Sequence, residues 1–166
     1  MDEKKNLIIE KNFSLAFQNH KKNNLQIAED FYKKTLKINP NHFESIFYFG
    51  SLLVQTQRFE LAKPLLYKAI KINPNYAAAH NNLGAALKEL GENKNAINCY
   101  KKAIQIDSNY ADAHNNLGII YYQLEEYQKA IKCYEKAIQI NPNYANAYNN
   151  LGNIFKILND YQKAIS

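Results

Sequence analysis

Apolar residues in the stretch 111–144 fall into two helical stripes. Ala113, Leu117, Gly118, Tyr121 and Leu124 form one, and Ala130, Ile131, Tyr134, Ala137 and Ile138 the other. Spacings of three and four place each set on a single face of an α-helix. Turn-compatible residues such as Leu90-Gly91-Glu92-Asn93 separate stripes of this kind. Asn-Pro-Asn-Tyr follows the second stripe, and its proline disfavours helical backbone at the residue before it. The predicted unit is therefore helix, turn, helix, turn.

That unit recurs with a fixed period. Asn39-Pro40, Asn73-Pro74 and Asn141-Pro142 mark its end, with Asp107-Ser108 in the remaining slot. Gly50, Gly84, Gly118 and Gly152 follow the same constant spacing, and so do Ala28, Ala62, Ala96, Ala130 and Ala164. Residues 77–110 and 111–144 are identical at 20 of 34 positions. Asn41, Asn75, Asn109 and Asn143 stand where each next helix needs a cap, and Asn41 with Glu44 approximates a capping box. Pro64 is the misfit of the second unit and is expected in the first turn of its helix, where amide hydrogens have no partners. A glycine inside a helix costs ~1 kcal/mol relative to alanine, so four in phase imply a close backbone approach.

A 34-residue period with Leu-Gly early, Ala in the middle and Pro near the end resembles the tetratricopeptide repeat. The resemblance spans nearly the whole chain. It gives a leader at 1–8, a degenerate first repeat at 9–42 with Ala16 in the glycine position, repeats at 43–76, 77–110 and 111–144, and a partial fifth at 145–166. It implies an all-α fold, a right-handed superhelical solenoid of antiparallel helix pairs, in which each pair leaves an apolar face that only a neighbour covers. Because the last repeat is a fragment, the array is expected to continue past Ser166, or its end to fray or to pair with another molecule.

The resemblance also implies a concave groove lined by the second, fifth, sixth, ninth and twelfth positions of each repeat. In the first two repeats these include Phe13, Phe17, Phe47 and Tyr48; later they include Asn81, Asn82, Asn115, Asn116, Asn149, Asn150 and Asn153. The groove changes from aromatic to amide-rich along the chain. Asn-Asn-Leu-Gly is similar to the repeats of O-linked N-acetylglucosamine transferases, where an asparagine ladder holds substrate peptides; Asn82, Asn116 and Asn150 take that place here. An amide both donates and accepts, so such a ladder suits a ligand main chain. The alternative is that these amides bond between neighbouring helices, or reflect a chain that has 24 asparagines throughout. The carboxylate clamp that some of these domains use for chaperone C-termini needs cations that no register of this chain supplies.

Composition narrows the function without naming it. The 166 residues are 46% apolar and 22% charged, enough for a folded chain. No apolar run approaches the ~20 residues of a membrane span. The net charge of +6 comes largely from lysines such as Lys33, Lys34, Lys68, Lys101, Lys102 and Lys136, at phases expected on the convex side; with Arg58 the lone arginine, neither nucleic acid nor a membrane is the expected partner. Cys99 and Cys133 share a repeat position held earlier by Phe31 and Leu65, which favours packing over a disulfide and fits a cytoplasmic or nuclear compartment. His80 and His114 share another packing position, and no cluster has metal-ligand spacing. With no nucleophile or phosphate-binding motif, the chain reads as no enzyme, with no cofactor or metal. The expected function is a scaffold that binds a protein or peptide in the groove. The alternative is the substrate-recruiting array of a larger enzyme such as a glycosyltransferase.

Overall fold

Four tight turns set the architecture. In each, one residue takes the left-handed backbone region, at Asn23, Gln57, Gly91 and Glu125, with φ between 58° and 78°. These positions share one phase of the repeat. At the second turn the amide of Gln57 donates to the Val54 carbonyl (3.0 Å) and that of Arg58 to the Leu53 carbonyl (2.8 Å), the paired closure of a Schellman motif. Only the third repeat fills the position with glycine, so the other three carry the steric cost of a side chain there, about 1–2 kcal/mol each.

The computed structural model describes residues 3–165, with side chains through Leu158. The described residues form the helices α1 (Glu3–Lys21), α2 (Leu25–Ile38), α3 (Phe43–Gln55), α4 (Phe59–Ile72), α5 (Ala77–Glu89), α6 (Asn93–Ile106), α7 (Ala111–Gln123), α8 (Tyr127–Ile140) and α9 (Ala145–Ile165). The leader from Glu3 onward is absorbed into α1, where Leu7 and Ile8 remain exposed.

The turns between repeats differ from the sequence expectation. Asn41, Asn75, Asn109 and Asn143 do not cap the helices that follow. Their backbone amides instead donate to the side-chain Oδ1 of Asn39, Asn73, Asp107 and Asn141, at 2.9–3.2 Å. Each is an Asx turn, and it places the asparagine one residue before the cap position. His42 caps α3, its Nδ1 accepting from the Ser45 amide at 3.2 Å, while Tyr76 and Tyr110 precede α5 and α7 without a side-chain cap. Pro64 is the sixth residue of α4, past the first turn. It and Glu60, the residue four before it whose carbonyl loses the usual N–H partner, are both exposed to solvent.

Within a repeat the two helices meet at one small residue and one large one. Ala16 and Tyr32 are both fully buried in the first repeat. A Cβ placed on Gly84 would lie 2.7 Å from the ring of Tyr100, and one on Gly118 would lie 2.6 Å from the ring of Tyr134. Gly50 is closed by Leu66 at 3.0 Å. Between repeats, the backbones of α1, α3, α5, α7 and α9 lie close in sequence, whereas those of α2, α4, α6 and α8 stay further apart. The array therefore curves with the odd-numbered helices on its inner side, as a helical solenoid must.

The fifth repeat is different. α9 runs through Leu158–Asp160, where the period predicts a turn. Gly152, unlike its three equivalents, has no atom within 4 Å of the point where a Cβ would stand, so no second helix lies against it among the described residues. Without that packing, nothing offsets a left-handed residue at the turn. Ala164 lies outside the described side chains.

Gly84→Ala and Gly118→Ala are expected to lower stability by about 1–3 kcal/mol, because the buried rings have no room to retreat. Gly152→Ala removes a helical glycine from open space and should be neutral or stabilising by up to about 1 kcal/mol. Urea denaturation of the three variants checks both, and equal stability of wild type and Gly118→Ala would refute the packing account.

Candidate peptide-binding groove

The inner helices α5, α7 and α9 carry the groove amides, and neighbouring repeats bond through them, with Ser51 of α3 as the first partner. Asn82 Nδ2 donates to Ser51 Oγ at 2.8 Å, and that hydroxyl donates on to the Phe47 carbonyl at 2.9 Å. Asn116 Nδ2 donates to Asn81 Oδ1 at 3.1 Å, and Asn150 Nδ2 to Asn115 Oδ1 at 3.2 Å. Asn81 and Asn115 are buried, at 6% and 4% exposure, whereas Asn82, Asn116 and Asn150 are half-buried. The amide pairs thus divide the work. The first asparagine of each Asn-Asn pair in α5 and α7 is an acceptor sealed inside the junction. The second is held by one donated N–H, Asn82 also accepting from Asn81 Nδ2 at 3.4 Å, and keeps a polar edge at the groove surface.

Asn149 and Asn153 of α9 are exposed. Their equivalents in the preceding repeat are the buried Asn115 and the half-buried Ile119. The change follows from the neighbours of α9, on which no further inner helix lies among the described residues.

At the other end the four aromatic residues come together, but not all line the surface. Phe13 and Phe17 stack at 5.9 Å between ring centroids, and Phe17 lies 4.8 Å from Tyr48. These three are half-buried. Phe47 is 5% exposed, with its ring 4.8 Å from Tyr76 in an edge-on arrangement, so it supports the groove wall from within. Lys21 Nζ sits 4.3 Å above the Phe17 ring.

Sequence reasoning missed three polar contacts. His42 stands beside two carboxylates of the groove lip, 3.7 Å from Glu10 and 3.6 Å from Glu44. Tyr144 donates to Asp112 Oδ1 at 2.6 Å. His80 and His114 reach back through Nε2 to the carbonyls of Pro74 and Ser108, at 2.9 and 3.1 Å, tying each inner helix to the turn before it. A signal was present for the last, since both histidines share one phase of the repeat, each the same short step after the turn it binds.

The two cysteines are partly buried against the core, and burial pushes each thiol up to about 11. Among the described residues no group of three or more His, Cys, Asp or Glu side chains is placed to hold a metal ion, and no helix is long and apolar enough to cross a membrane. Because the thiols are held protonated, iodoacetamide at pH 8 should modify the native chain at least about a hundredfold more slowly than the urea-unfolded chain. Equal rates would show that the two thiols are not sequestered.

The comparisons with known proteins agree with this geometry. Tetratricopeptide repeat models match residues 111–144 and 133–166, and a TPR repeat model matches 50–91 and 86–125. No curated protein sequence matches the chain. One crystal structure of MamA superposes with a TM-score of 0.81 at 28% identity, covering 95% of this chain and 86% of that one. Another gives 0.78 at 30% identity, covering 91% and 88%. A mutant of the Thermobaculum terrenum O-GlcNAc transferase gives 0.77 at 22% identity, covering 84% of this chain but 27% of that one, a likeness of fold alone. The repeats, their packing and these matches together make the chain a member of the tetratricopeptide repeat family.

Proposed function

We infer that the chain is a protein-interaction scaffold that holds an extended peptide along its inner surface. The observation that carries this reading is the orientation of Asn82, Asn116 and Asn150. Each is fixed by donating one N–H to the preceding repeat. A side chain already held in place loses little rotamer freedom on binding, so its remaining polar edge binds at low entropic cost. One amide per repeat suits the main chain of a ligand, whose polar groups also recur at regular intervals. Phe13, Phe17 and Tyr48 give the same ligand an aromatic surface at one end, and the exposed Asn149 and Asn153 extend the polar track at the other. Asn81, Asn115 and Phe47 support the groove from beneath.

Peptides selected from a random display library against the intact chain provide the probe. Replacing Asn82, Asn116 and Asn150 together with Ala removes three neutral hydrogen bonds of roughly 0.5–1.5 kcal/mol each. Binding by calorimetry is expected to weaken on the order of tenfold to a thousandfold. Methylating the peptide's backbone nitrogens should weaken it similarly while the variant protein becomes indifferent to the methylation. Unchanged affinity of the triple variant, with its helical content intact, would sink the ladder.

The second reading is a substrate-recruiting array within a larger enzyme. The recurrence of Asn-Asn-Leu-Gly at residues 81–84, 115–118 and 149–152 favours it. The coding sequence downstream of Ser166 separates the two, since a glycosyltransferase domain there supports the second. A cytoplasmic or nuclear setting, which keeps the thiols reduced, is part of both readings.

The uncovered side of α9 extends the scaffold reading to self-association. Tyr148 and Phe155 are 49% and 52% exposed on either side of the open Gly152. Size by light scattering is expected to rise with concentration for wild type and to stay monomeric for Phe155→Glu. A wild-type chain that remains monomeric at every concentration would remove self-association from the proposal.

A further inference from the structure

Adjacent repeats meet where the second helix of one faces the turn that opens the second helix of the next. At the first such junction Glu29 on α2 takes a hydrogen bond from Arg58, Nη2 to Oε2, at 2.5 Å. Lys33 reaches the other oxygen at 2.6 Å, and Glu29 is 5% exposed. The Arg58 guanidinium holds the Glu29 carboxyl below the usual carboxylate range, against the opposing effect of burial. One period further on, the same two positions hold Lys63 on α4 and Glu92, joined at 2.5 Å. The contact is repeated with its signs reversed. At the third junction the positions hold Ile97 and Glu126, and Glu126 pairs with Lys129 of the helix it opens. In the repeat before, the place of Lys129 is taken by Asn95, which donates to Glu92 at 3.0 Å and leaves its charge available to Lys63.

We propose that these junctions form an electrostatic key that fixes the order in which the repeats stack. The apolar packing cannot do this alone. Repeats three and four are identical at 20 of 34 positions. The seat of a glycine against a tyrosine ring is the same in both. Repeats three and four thus present nearly the same apolar face to any neighbour, in their own chain or in another copy, whereas the first two pack Ala16 with Tyr32 and Gly50 against Leu66. The charges differ. If α2 docked on the third repeat instead of the second, Glu29 would face Glu92. If α4 docked on the second repeat of another copy, Lys63 would face Arg58. If α4 skipped to the fourth repeat, Glu126 would already be neutralised and Lys129 would repel Lys63. The native order alone pairs opposite charges at the first two junctions and leaves the apolar Ile97 opposite a self-neutralised pair at the third.

Energetics favours this role over plain stabilisation. An ion pair on a buried group such as Glu29 gains little over an apolar replacement, but leaving that charge unpaired or facing its own sign is costly. Lys63–Glu92, with side chains 30% and 32% exposed, carries a smaller share of that cost. Such pairs therefore discriminate between arrangements better than they stabilise one. Chains of similar repeats need that discrimination, since misassembly of like units is a characteristic failure of repeat proteins.

The experiment makes the first two junctions alike while keeping each pair that spans a junction opposite in charge. Every chain compared, the wild-type pattern included, carries Lys33→Gln, so that no lysine stands beside position 29. Either K63E/E92R or E29K/R58E does this on the intact chain, and both erase the key. The quadruple variant E29K/R58E/K63E/E92R inverts both junctions and restores it. Each chain is unfolded in urea, diluted at a series of concentrations, and its out-of-order dimer and aggregate separated from monomer by size exclusion. Both erased variants are expected to yield roughly fivefold more non-monomeric product than wild type. The quadruple variant is expected to refold as wild type does. Refolding of the erased variants at the wild-type yield would overturn the proposal. So would a quadruple variant that misassembles as badly as they do, because the fault would then lie in the substituted side chains. One erased variant that folds suffices for the comparison, as the two carry the same prediction.

Discussion

The distance between the two helices of a repeat is set by a small residue lying against a large one, and the rest of the molecule follows from it. At Gly84 and Gly118 the missing side chain is the space that the rings of Tyr100 and Tyr134 fill. Tyr100 and Tyr134 are each 1% exposed, so their rings are fixed on every side by the interior. An interior at this density does not deform smoothly to admit a methyl group. The pair of helices therefore docks at one distance and one phase, and recurrence of the pair along the chain repeats the whole geometry. Contact between successive inner helices, with the outer ones apart, then bends the stack and creates a groove.

Much of this is legible before any coordinates. Small residues at fixed phase announce a close approach, and the period announces the repeat. The turn chemistry is less legible, because several residues nearby can do the same work. Asn39 and Asn41 both have side chains suited to capping, and it is the earlier one that bonds, through the backbone amide of the later. That leaves the cap to His42, whose ring only the folded turn brings over the Ser45 amide. Pro64 is likewise settled by exposure, which the position of a proline in a sequence does not reveal. At the left-handed turn residues, Gln57 and Glu125 show that a closed pair of backbone hydrogen bonds can enforce a conformation the side chain disfavours.

The groove was half legible for a related reason. The sequence places Asn81 and Asn82 on the inner helix but cannot say which faces the neighbour. The structure separates them by a single helical step: Asn81 turns into the junction and Asn82 sits at its edge. Phe47 is drawn inward in the same way, by the ring of Tyr76. The ion pairs were not legible at all. Glu29 and Arg58, like Lys63 and Glu92, lie on different repeats. Because the signs reverse from one junction to the next, comparing equivalent positions cancels the signal.

The groove amides show why binding and stacking are hard to separate in a protein of this kind. A buried acceptor such as Asn115 Oδ1 must be satisfied, and Asn150 satisfies it from the next repeat. That bond joins two repeats, and by fixing Asn150 it also sets the direction of the polar edge left at the surface. The same holds for Asn116 on Asn81 and Asn82 on Ser51. A repeat that shifted relative to its neighbour would break the bond and turn the exposed amide away from the row. Alignment of the surface amides is thus a consequence of correct stacking, and the order of the repeats becomes a condition for any ligand that reads more than one of them. The charges at the outer junctions and the amides at the inner ones then act on a single quantity, the register between neighbours.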